Sequence, residues 1–371
     1  MNWQEICKLA DRSERIVAGV MSGTSADGLD VAICRCNGSS RGMGVELLQF
    51  DSYSHTESFR DNMIRTYDKN YSTVEKINHM NFEIARVHSK MILNSIHKSS
   101  LSIDIIGYHG QTVYHDPDRG ATLQLGEADV ISTITGLPVV FGFRTKDVSL
   151  GGQGAPLIPY LDWILFEPDT VTVNIGGIAN ITILKENLDE TVAFDTGPGN
   201  CLLDITAQRY FGEPYDRDGE LSARGVVKEE LLTLLRERNR GFSDKPPPKS
   251  TGREVYNEEF LAGIESYSPH DVMRTLVAFT VGELWSHVDR YTSTVARMVV
   301  TGGGAHNKTM MSELNRLANC EIFVPGERLI ESREAMGMAV LAHEFFNGTP
   351  SSVPHATGAS RAAVLGKLAL P

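Results

Sequence analysis

A turn rich in glycine and hydroxyl side chains near the amino terminus is the first segment that could do chemistry. Residues Ser22 to Gly28 contain two glycines, three hydroxyl groups and the carboxylate of Asp27. The backbone N–H groups of such a turn can close on phosphoryl oxygens, and Asp27 or Asp30 could hold a hydrated Mg²⁺. The Gly-Lys-Ser/Thr of a Walker loop is missing, and a turn of this composition can also serve only to reverse the chain.

Two further glycine clusters favour a bound nucleotide. They are NIGGIAN at residues 174–180 and TGGGAHN at residues 301–307, and the second precedes a predicted helix. A helix N-terminus attracts anions through its free N–H groups and the positive end of its dipole. Because the net charge is −12, ATP would have to be held by such local donors and by Mg²⁺. Each cluster has the alternative of an ordinary turn at the end of a strand.

Asp195, in the segment FDTGPGN at residues 194–200, is the candidate general base. It stands directly after a predicted strand and before a predicted helix, so we expect its side chain to project into a cleft. An aspartate with an ordinary pKa near 3.9 is ionised at neutral pH and can accept a proton. The alternative is a carboxylate that only bonds the amides of the following turn. Spacing alone does not decide between the two.

Other polar groups stand in segments that suit sugar hydroxyls and a carboxylate. They are HGQT at residues 109–112 and RTKD at residues 144–147. A single buried His109 is more often a structural residue bonded to the backbone. Glu331 and Glu334 open the last predicted helix, where acidic groups also favour the helix dipole. The histidines lack metal-ligand spacing, so we predict no transition-metal site.

Alternating and helical hydrophobic patterns predict the elements that position these residues. The predicted strands are residues 16–22, 29–35, 45–50, 103–108, 170–175, 178–184, 191–194, 296–301 and 321–324. The predicted helices are residues 72–99, 201–210, 254–265, 272–291, 308–317 and 333–346. Thr251 and Glu254 have the spacing of a capping box at the start of the third helix.

The two halves of the chain begin alike. Residues 17–33 and 171–184 both read as strand, glycine-containing turn and strand. This pattern indicates an internal duplication, with two α/β lobes that carry helices on both sides of a mixed sheet around a cleft. Two unrelated hairpins are the alternative.

Composition indicates a globular protein of the cytoplasm. The 371 residues are 41% hydrophobic and 22% charged, and no apolar window is long enough for a membrane span. The net charge of −12, without a basic face, argues against nucleic acid and anionic membranes as partners. The first fifteen residues are too charged for a signal peptide. Five scattered cysteines suit a reducing compartment, and Cys34 and Cys36 lack a second ligand pair for a metal.

Long strings along nearly the whole chain resemble one family, the anhydro-N-acetylmuramic acid kinases. They include GVMSGTSADGLDVAI, FRTKDVSLGGQGAPLIP, NIGGIANIT, FDTGPGN, KSTGREVYN, TGGGAHN and EAMGMAVLAHE, in that order. The resemblance implies an actin-like fold of two RNase-H-like lobes with an ATP and sugar cleft between them. It implies an amino-terminal lobe at residues 1–145, joined by the carboxyl-terminal segment, and a second lobe at residues 146–371. A homodimer is compatible with it.

The resemblance also implies a reaction and its residues. ATP with Mg²⁺ would phosphorylate O6 of 1,6-anhydro-N-acetylmuramic acid while water opens the anhydro ring, in cell-wall recycling. Asp195 would deprotonate that water, and Glu334 would support the water or the sugar ring. Thr112, Arg144 and Asp147 would bind the sugar. The residues implied for ATP are Gly23, Thr24, Ser25, Ala26, Asp27, Gly28, Asp30, Gly176, Gly177, Asn180, Gly302, Gly303, Gly304 and Asn307.

Two positions depart from the family pattern near the expected sugar site. Gly142 precedes Phe143 and Arg144 where the family usually has Asp, and Glu331 stands where an Asp is frequent before Glu334. A lost carboxylate partner could re-aim Arg144. Levoglucosan or another anhydro sugar is therefore an alternative substrate. An actin-like module that binds ATP without turnover is a further alternative.

Overall fold

The computed structural model describes the whole chain, residues 1–371. The chain divides into two compact units: the first is Met1–Leu165 with Glu331–Pro371, and the second is Phe166–Ile330. The boundary expected after residue 145 falls inside a helix of the first unit, Phe143–Ser149. Arg144 on this helix donates a hydrogen bond to the carbonyl oxygen of Gly154. The chain beyond residue 145 thus stays packed within the first unit as far as Leu165.

The first unit is built on a mixed sheet of seven strands. The strands are β1 (Glu14–Ser22), β2 (Gly28–Asn37), β3 (Gly44–Ser54), β4 (Ile105–Asp116), β5 (Ala121–Leu125), β6 (Val139–Phe141) and β12 (Lys367–Ala369). Their order is β12-β6-β4-β1-β2-β3, and β5 pairs with β4. The helices are α1 (Trp3–Ala10), α2 (Glu57–Arg65), α3 (Val74–Ser99), α4 (Ala128–Thr135), α5 (Phe143–Ser149), α6 (Pro159–Leu165), most of α12 (Glu327–Asn347) and α13 (Pro354–Thr357).

The second unit is built on a mixed sheet of five strands in the order β11-β10-β7-β8-β9. The strands are β7 (Thr170–Ile175), β8 (Ile178–Ile183), β9 (Val192–Pro198), β10 (Arg297–Thr301) and β11 (Glu321–Phe323). The helices are α7 (Cys201–Phe211), α8 (Glu220–Ala223), α9 (Glu229–Ser243), α10 (Pro269–Tyr291) and α11 (Lys308–Leu317).

The two sheets share one topology. In each, an antiparallel meander of three strands is extended from its first strand by two parallel strands: β3-β2-β1-β4-β6 in the first unit and β9-β8-β7-β10-β11 in the second. This is the RNase-H-like order, and it confirms the predicted α/β fold with a repeated unit. Each sheet places a glycine-rich turn between the first two strands of its meander, as the duplicated sequence pattern indicates.

Apolar faces of the central strands and the long helices form the cores. In the second unit, Val171 and Val173 of β7 pack in one cluster with Leu276 and Phe279 of α10. Such burial is the main stabilising contribution, about 1.5–3 kcal/mol for each large side chain. None of the helices combines the length and hydropathy needed to cross a membrane.

Helix α12 lies directly on the sheet of the first unit because two strands carry glycine at the crossing. A Cβ atom on Gly19 of β1 would lie 1.9 Å from the carbonyl oxygen of Ala335. A Cβ atom on Gly107 of β4 would lie 2.2 Å from that of Met338. Any larger residue at either position would push the helix away. This close packing fixes the height of Glu334 above the sheet.

The helix predicted at residues 254–265 is wrong, because the segment folds as consecutive turns. Its periodic apolar residues Tyr256, Leu261 and Ile264 are buried in the core of the second unit, which accounts for the misleading pattern. The side-chain oxygen of Asn257 accepts hydrogen bonds from the next available amides, Glu259 and Phe260, and so stabilises a turn. The predicted capping box is also absent, since residues 251–254 begin no helix.

Candidate active site

A cavity of about 600 Å³ in the second unit is lined by two of the three glycine clusters. Gly176 and Gly177 form the turn between β7 and β8, and Gly303 with Asn307 comes from the connection between β10 and α11. Asn307 is the N-cap of α11, and its side-chain oxygen accepts a 2.9 Å hydrogen bond from the Met310 amide. The cavity therefore lies at the end of parallel strands, beside a helix N-terminus, where phosphates bind in many α/β proteins.

Close packing behind the cavity requires glycine at residue 302. Gly302 has φ +82°, and a Cβ atom there would lie 2.7 Å from the carbonyl oxygen of Ile175. A Cβ atom on Gly304 would lie 2.4 Å from the Ile175 side chain. Neither residue lines the cavity, and both let the two turns approach each other. Asn180, in contrast, lies in β8 opposite Asp195 and away from the cavity lining.

Several cavity residues were not found by sequence reasoning. The Asn200 side-chain amide donates to the carbonyl oxygens of Ile175 and Gly176 at 3.0 and 3.1 Å, and so holds the first turn. Burial raises the pKa of Asp204 to about 6, and the nearby Arg253 guanidinium opposes the shift. Asn200 closes the FDTGPGN segment but has no predicted role, and Asp204 belongs to no short motif, so the sequence carries no signal for it.

Asp216 connects the cavity wall to the last glycine cluster. Its buried carboxylate accepts hydrogen bonds from the Leu221 amide at 2.8 Å and the Ser222 hydroxyl at 2.6 Å. The side-chain amide of Asn307 donates to it at 3.3 Å. One carboxylate thus fixes both α8 and the N-cap of α11 beside the cavity.

Asp195 lies within β9. The sequence prediction, which ended this strand at residue 194 and placed Asp195 after it, is therefore wrong on this point. The strand continues to Pro198, and its pairing with β8 changes register beside Asp195. The Asp195 amide donates to the carbonyl oxygen of Lys249 at 3.1 Å, and its carboxylate accepts from the Thr251 amide at 2.9 Å. The amide that binds the carboxylate therefore comes from a distant segment and not from the following turn.

Burial changes the acidity of Asp195 in the direction that a general base needs. It raises the pKa of the carboxyl group from 3.8 to about 6, and the Thr251 amide and the Lys249 charge oppose the shift. A base whose pKa is close to neutral is more basic than an ordinary aspartate and is still mostly ionised at pH 7.

The turn between β1 and β2 in the first unit is held from several sides. Ala26 is buried with φ +56°, and its carbonyl oxygen is hydrogen-bonded to His55 Nδ1 at 2.9 Å. The Gln111 side-chain amide donates to the Gly23 carbonyl oxygen at 2.9 Å, and Arg60 pairs with Asp27 at 2.8 Å. Residues 23–25 are exposed. The loop thus presents its amides and hydroxyls to solvent on a fixed backbone.

His55 was not predicted as a site residue, and Gln111 stands in the segment expected to suit sugar hydroxyls; both instead position this turn. His55 Nε2 is hydrogen-bonded to His88 Nε2 at 3.1 Å, and His88 Nδ1 is bonded to the Tyr108 hydroxyl at 2.8 Å. All three side chains are buried. Burial lowers the pKa of His88 to about 3, so the chain of contacts is neutral.

Arg144 and Glu334 form the polar centre of the first unit. Arg144 donates to His109 Nε2 at 2.9 Å and to the Gly154 carbonyl oxygen at 2.8 Å. Burial lowers the pKa of Arg144 to about 10, and Glu334 opposes that shift. Desolvation by the surrounding protein raises the pKa of Glu334, although the residue keeps solvent access. The charges of Arg144 and Arg333 oppose this shift, and the charge of Asp30 adds to it.

The remaining predicted sugar residues differ in how accessible they are. Asp147 is fully buried, and its oxygens accept from the Gly154 amide at 2.7 Å and the Thr357 hydroxyl at 2.8 Å. This carboxylate is occupied in holding the loop around Gly154. Thr112 lies in β4, partly exposed, and accepts a 3.3 Å hydrogen bond from Gln124.

The position of Gly142 gives a physical reason for glycine there. It is the N-cap of α5 and has φ +68°, a conformation that glycine adopts without strain.

Asp30 lies in β2, where burial raises its pKa against the effect of a hydrogen bond from Ser52.

Two α/β units of this strand order, with glycine-rich turns at the ends of paired strands, define the class of actin-like ATPases and sugar kinases. Within that class, the chain belongs to the anhydro-N-acetylmuramic acid kinase family, whose family model matches residues 15–370. The predictions of this family and of an enzyme of the kinase class are confirmed by that match.

Curated relatives support the same assignment over the full length. The chain is 37% identical to the anhydro-N-acetylmuramic acid kinase of Caldanaerobacter subterraneus subsp. tengcongensis, covering 98% of this chain and 99% of the relative. It is 36% identical to that of Bacillus cereus, covering 96% and 99%. Among solved structures, (R)-2-hydroxyglutaryl-CoA dehydratase component A of Acidaminococcus fermentans has a TM-score of 0.45 at 12% identity, over 90% of this chain and 99% of that one.

Proposed function

We propose that this kinase transfers the γ-phosphoryl group of ATP to O6 of 1,6-anhydro-N-acetylmuramic acid while water opens the anhydro ring. The products are N-acetylmuramic acid 6-phosphate and ADP. Family membership supports the sugar, and one observation carries the chemistry: a partly buried carboxylate, Asp195, whose pKa is raised to about 6 and whose direction is fixed by the Thr251 amide.

The bond changes follow from one proton transfer to Asp195. The carboxylate takes a proton from water, and the remaining hydroxide oxygen bonds to the anomeric carbon. The bond between that carbon and O6 breaks, and its electron pair stays on O6. O6 bonds to the γ-phosphorus as the bond to the ADP oxygen breaks. Asp195 then releases its proton to solvent, so every atom is accounted for.

We assign nucleotide binding to the glycine turns. The cavity lined by Gly176, Gly177 and Asn307 has the size of a small-molecule site and a helix N-terminus for anionic groups. In the first unit, the exposed residues 23–25 offer amides and hydroxyls to phosphate. Phosphoryl transfer depends mainly on positioning and charge stabilisation, which backbone amides supply.

The chemistry of Asp27 and Asp30 fits Mg²⁺, which prefers carboxylate and water oxygens. Asp30 is partly buried beside the glycine turn, and Asp27 is exposed and paired with Arg60. When bound, the ion neutralises charge on the ATP phosphates.

We assign the sugar to the polar centre of the first unit. The Arg144 guanidinium is fixed by His109 and suits a carboxylate such as the lactyl group of the muramic sugar. Glu334 keeps solvent access and can accept a hydrogen bond from the sugar or the attacking water. Asp147 acts indirectly, because it holds the loop whose Gly154 carbonyl binds Arg144. We place this reaction in the reuse of cell-wall amino sugars in the cytoplasm, which agrees with five unpaired cysteines.

The test is ADP release by the purified protein with Mg-ATP and 1,6-anhydro-N-acetylmuramic acid, levoglucosan or no sugar. Turnover should depend on the muramic sugar. A reaction in ¹⁸O-labelled water should place the label on the anomeric hydroxyl and none on the phosphate. Turnover with levoglucosan alone would overturn the substrate, ATP hydrolysis independent of sugar would favour a module that only binds and hydrolyses ATP, and label in the phosphate would overturn the bond changes.

A further inference from the structure

The segment at residues 244–251, which we call the strap, runs from the end of α9 past Asp195. It contacts Asp195 twice: the Lys249 carbonyl oxygen accepts from the Asp195 amide at 3.1 Å, and the Thr251 amide donates to the Asp195 carboxylate at 2.9 Å. No helix or strand includes the strap, so no ladder of backbone hydrogen bonds fixes its place along its length. Three prolines at residues 246–248 limit its backbone freedom.

The Lys249 ammonium group anchors the strap to two helices. It donates to the Ser243 carbonyl oxygen at 3.0 Å, the Phe242 carbonyl oxygen at 3.2 Å and His287 Nε2 at 2.7 Å. These three acceptors match the three donors of an ammonium group. Phe242 and Ser243 end α9, where exposed carbonyl groups and the negative end of the dipole favour a cation. His287 belongs to α10.

The same ammonium group lies close to the residue before Asp195. It sits 5.7 Å from the centre of the Phe194 ring and 4.7 Å from that of Phe242, within the range of a cation–π contact. A surface lysine with no function would extend into water, because ordering its long side chain is entropically unfavourable. Lys249 is instead half-buried, with its donors used inside the protein.

We propose that Lys249 is a positioning residue for the reaction: its ammonium group holds the strap against α9 and α10 and thereby fixes the Thr251 amide on the Asp195 carboxylate. This inference rests on the proposed function, in which Asp195 is the general base.

Lys249 affects Asp195 in a second way, because its positive charge changes the pKa of the Asp195 carboxyl group. Burial lowers the pKa of Lys249 to about 8; Arg290 adds to the effect, and Glu283, Asp244 and Asp195 oppose it. His287, the remaining titratable group in contact, has its pKa lowered mainly by burial and accepts from the ammonium group. Lys249 is therefore mostly cationic at pH 7, and its charge lowers the pKa of Asp195 against the effect of burial.

The experiment compares Lys249→Met, Lys249→Arg and the matched control Lys245→Met, whose lysine lies exposed on the same strap. We expect Lys249→Met to lower kcat roughly 10- to 100-fold with KM for ATP within about twofold, as loss of positioning does. The acidic limb of kcat/KM should move up by roughly half a pH unit because a cation near the base is lost. Lys249→Arg should recover most of kcat, and Lys245→Met should match the wild type.

A second measurement reads Asp195 directly. The ¹³C carboxyl resonance of Asp195, assigned by its loss in Asp195→Asn, should titrate at higher pH in Lys249→Met than in the wild type. Should Lys249→Met not fold, His287→Leu removes one acceptor of the ammonium group and should move the titration in the same direction.

The outcomes separate the two proposals. If Asp195→Asn abolishes turnover but Lys249→Met lowers only the melting temperature and moves neither kcat nor the titration, Lys249 is merely structural and this inference is overturned alone. If Asp195→Asn keeps turnover, the proposed function loses its base, whatever Lys249 does. If Lys249→Met moves both kcat and the titration and Lys249→Arg restores them, the inference stands.

Discussion

Replacing Asp195 with asparagine should remove activity and make the folded protein more stable at neutral pH. The folded state binds a proton at this carboxyl group more tightly than the unfolded state does, because burial raises its pKa from 3.8 to about 6. The ionised form is therefore unfavourable for folding. This destabilisation is fully present above about pH 6 and disappears as the pH falls through 6 towards 3.8.

The size of the effect follows from that difference of about two pKa units, at about 1.4 kcal/mol each, which sets an upper bound of about 3 kcal/mol. Asp195 keeps some solvent access, and screening reduces the effect, so we expect about 1–2 kcal/mol at pH 8. The amide oxygen of the variant can still accept from Thr251 N–H, so this hydrogen bond is preserved. At 2–4 °C for each kcal/mol in a domain of this size, the melting temperature of the second unit should rise by roughly 2–8 °C.

The assay is urea unfolding of the wild type and Asp195→Asn at pH 5, 6.5 and 8, together with turnover at pH 7.5. The gain in stability should be largest at pH 8 and about half as large at pH 5. Turnover should fall by roughly 10²–10⁴-fold, the usual contribution of a general base. Asp189→Asn, which removes an exposed carboxylate in the same unit, is the control and should change neither quantity.

Three results would refute this reasoning. A variant less stable than the wild type at pH 8 would show that partners of the carboxylate outweigh its burial. An equal gain at every pH would show that ionisation is not the cause. Turnover within tenfold of the wild type would show that Asp195 is not the base.

Three other substitutions test the remaining parts of the site. Gly302→Ala places a Cβ atom 2.7 Å from the Ile175 carbonyl oxygen at a residue with φ +82°. ATP affinity measured by calorimetry should therefore fall at least about tenfold. Wild-type affinity would show that this turn does not shape the nucleotide site. Arg144→Lys loses the Nε–H donor to His109, so KM for the sugar should rise about tenfold with KM for ATP unchanged, and equal changes in both would contradict a sugar role. His88→Phe leaves the hydrogen-bonding groups of His55 and Tyr108 unsatisfied, so the free energy of unfolding should fall by about 2 kcal/mol. KM for ATP should rise as well. An unchanged KM would show that His88 does not position the turn between β1 and β2.

Local sequence patterns were sufficient for most of the fold. The predicted strand at residues 170–175 and the predicted helix at residues 308–317 have the observed bounds, Thr170–Ile175 and Lys308–Leu317. Both segments have one strong periodicity and clear ends, and Asn307 caps the helix. The helix prediction for residues 254–265 failed because apolar residues buried in successive turns can have the same spacing as those of a helix.

The glycine turns were also visible in the sequence, because the demand they answer is local. Gly302 is needed by its own backbone angle, φ +82°, and such demands leave clusters of glycine in the sequence. The partners of Asp195 left no such trace. Thr251 and Lys249 reach it from more than fifty residues along the chain, and nothing in their spacing shows that they return to β9.

The pKa values of the site residues are the property that the sequence predicts least, because they depend on burial in the folded protein. Burial shifts the pKa of an acid and that of a base in opposite directions. It raises the pKa of Asp195 to about 6 and lowers that of Lys249 to about 8, so that each group is brought closer to its neutral form. Between these two values the carboxylate is ionised while the ammonium group keeps its charge, which is the state that a base held by a charged anchor requires. The strap therefore links position to protonation: the three contacts that order Lys249 are the ones that keep its charge beside Asp195, and removing the charge must loosen the base and change its acidity together.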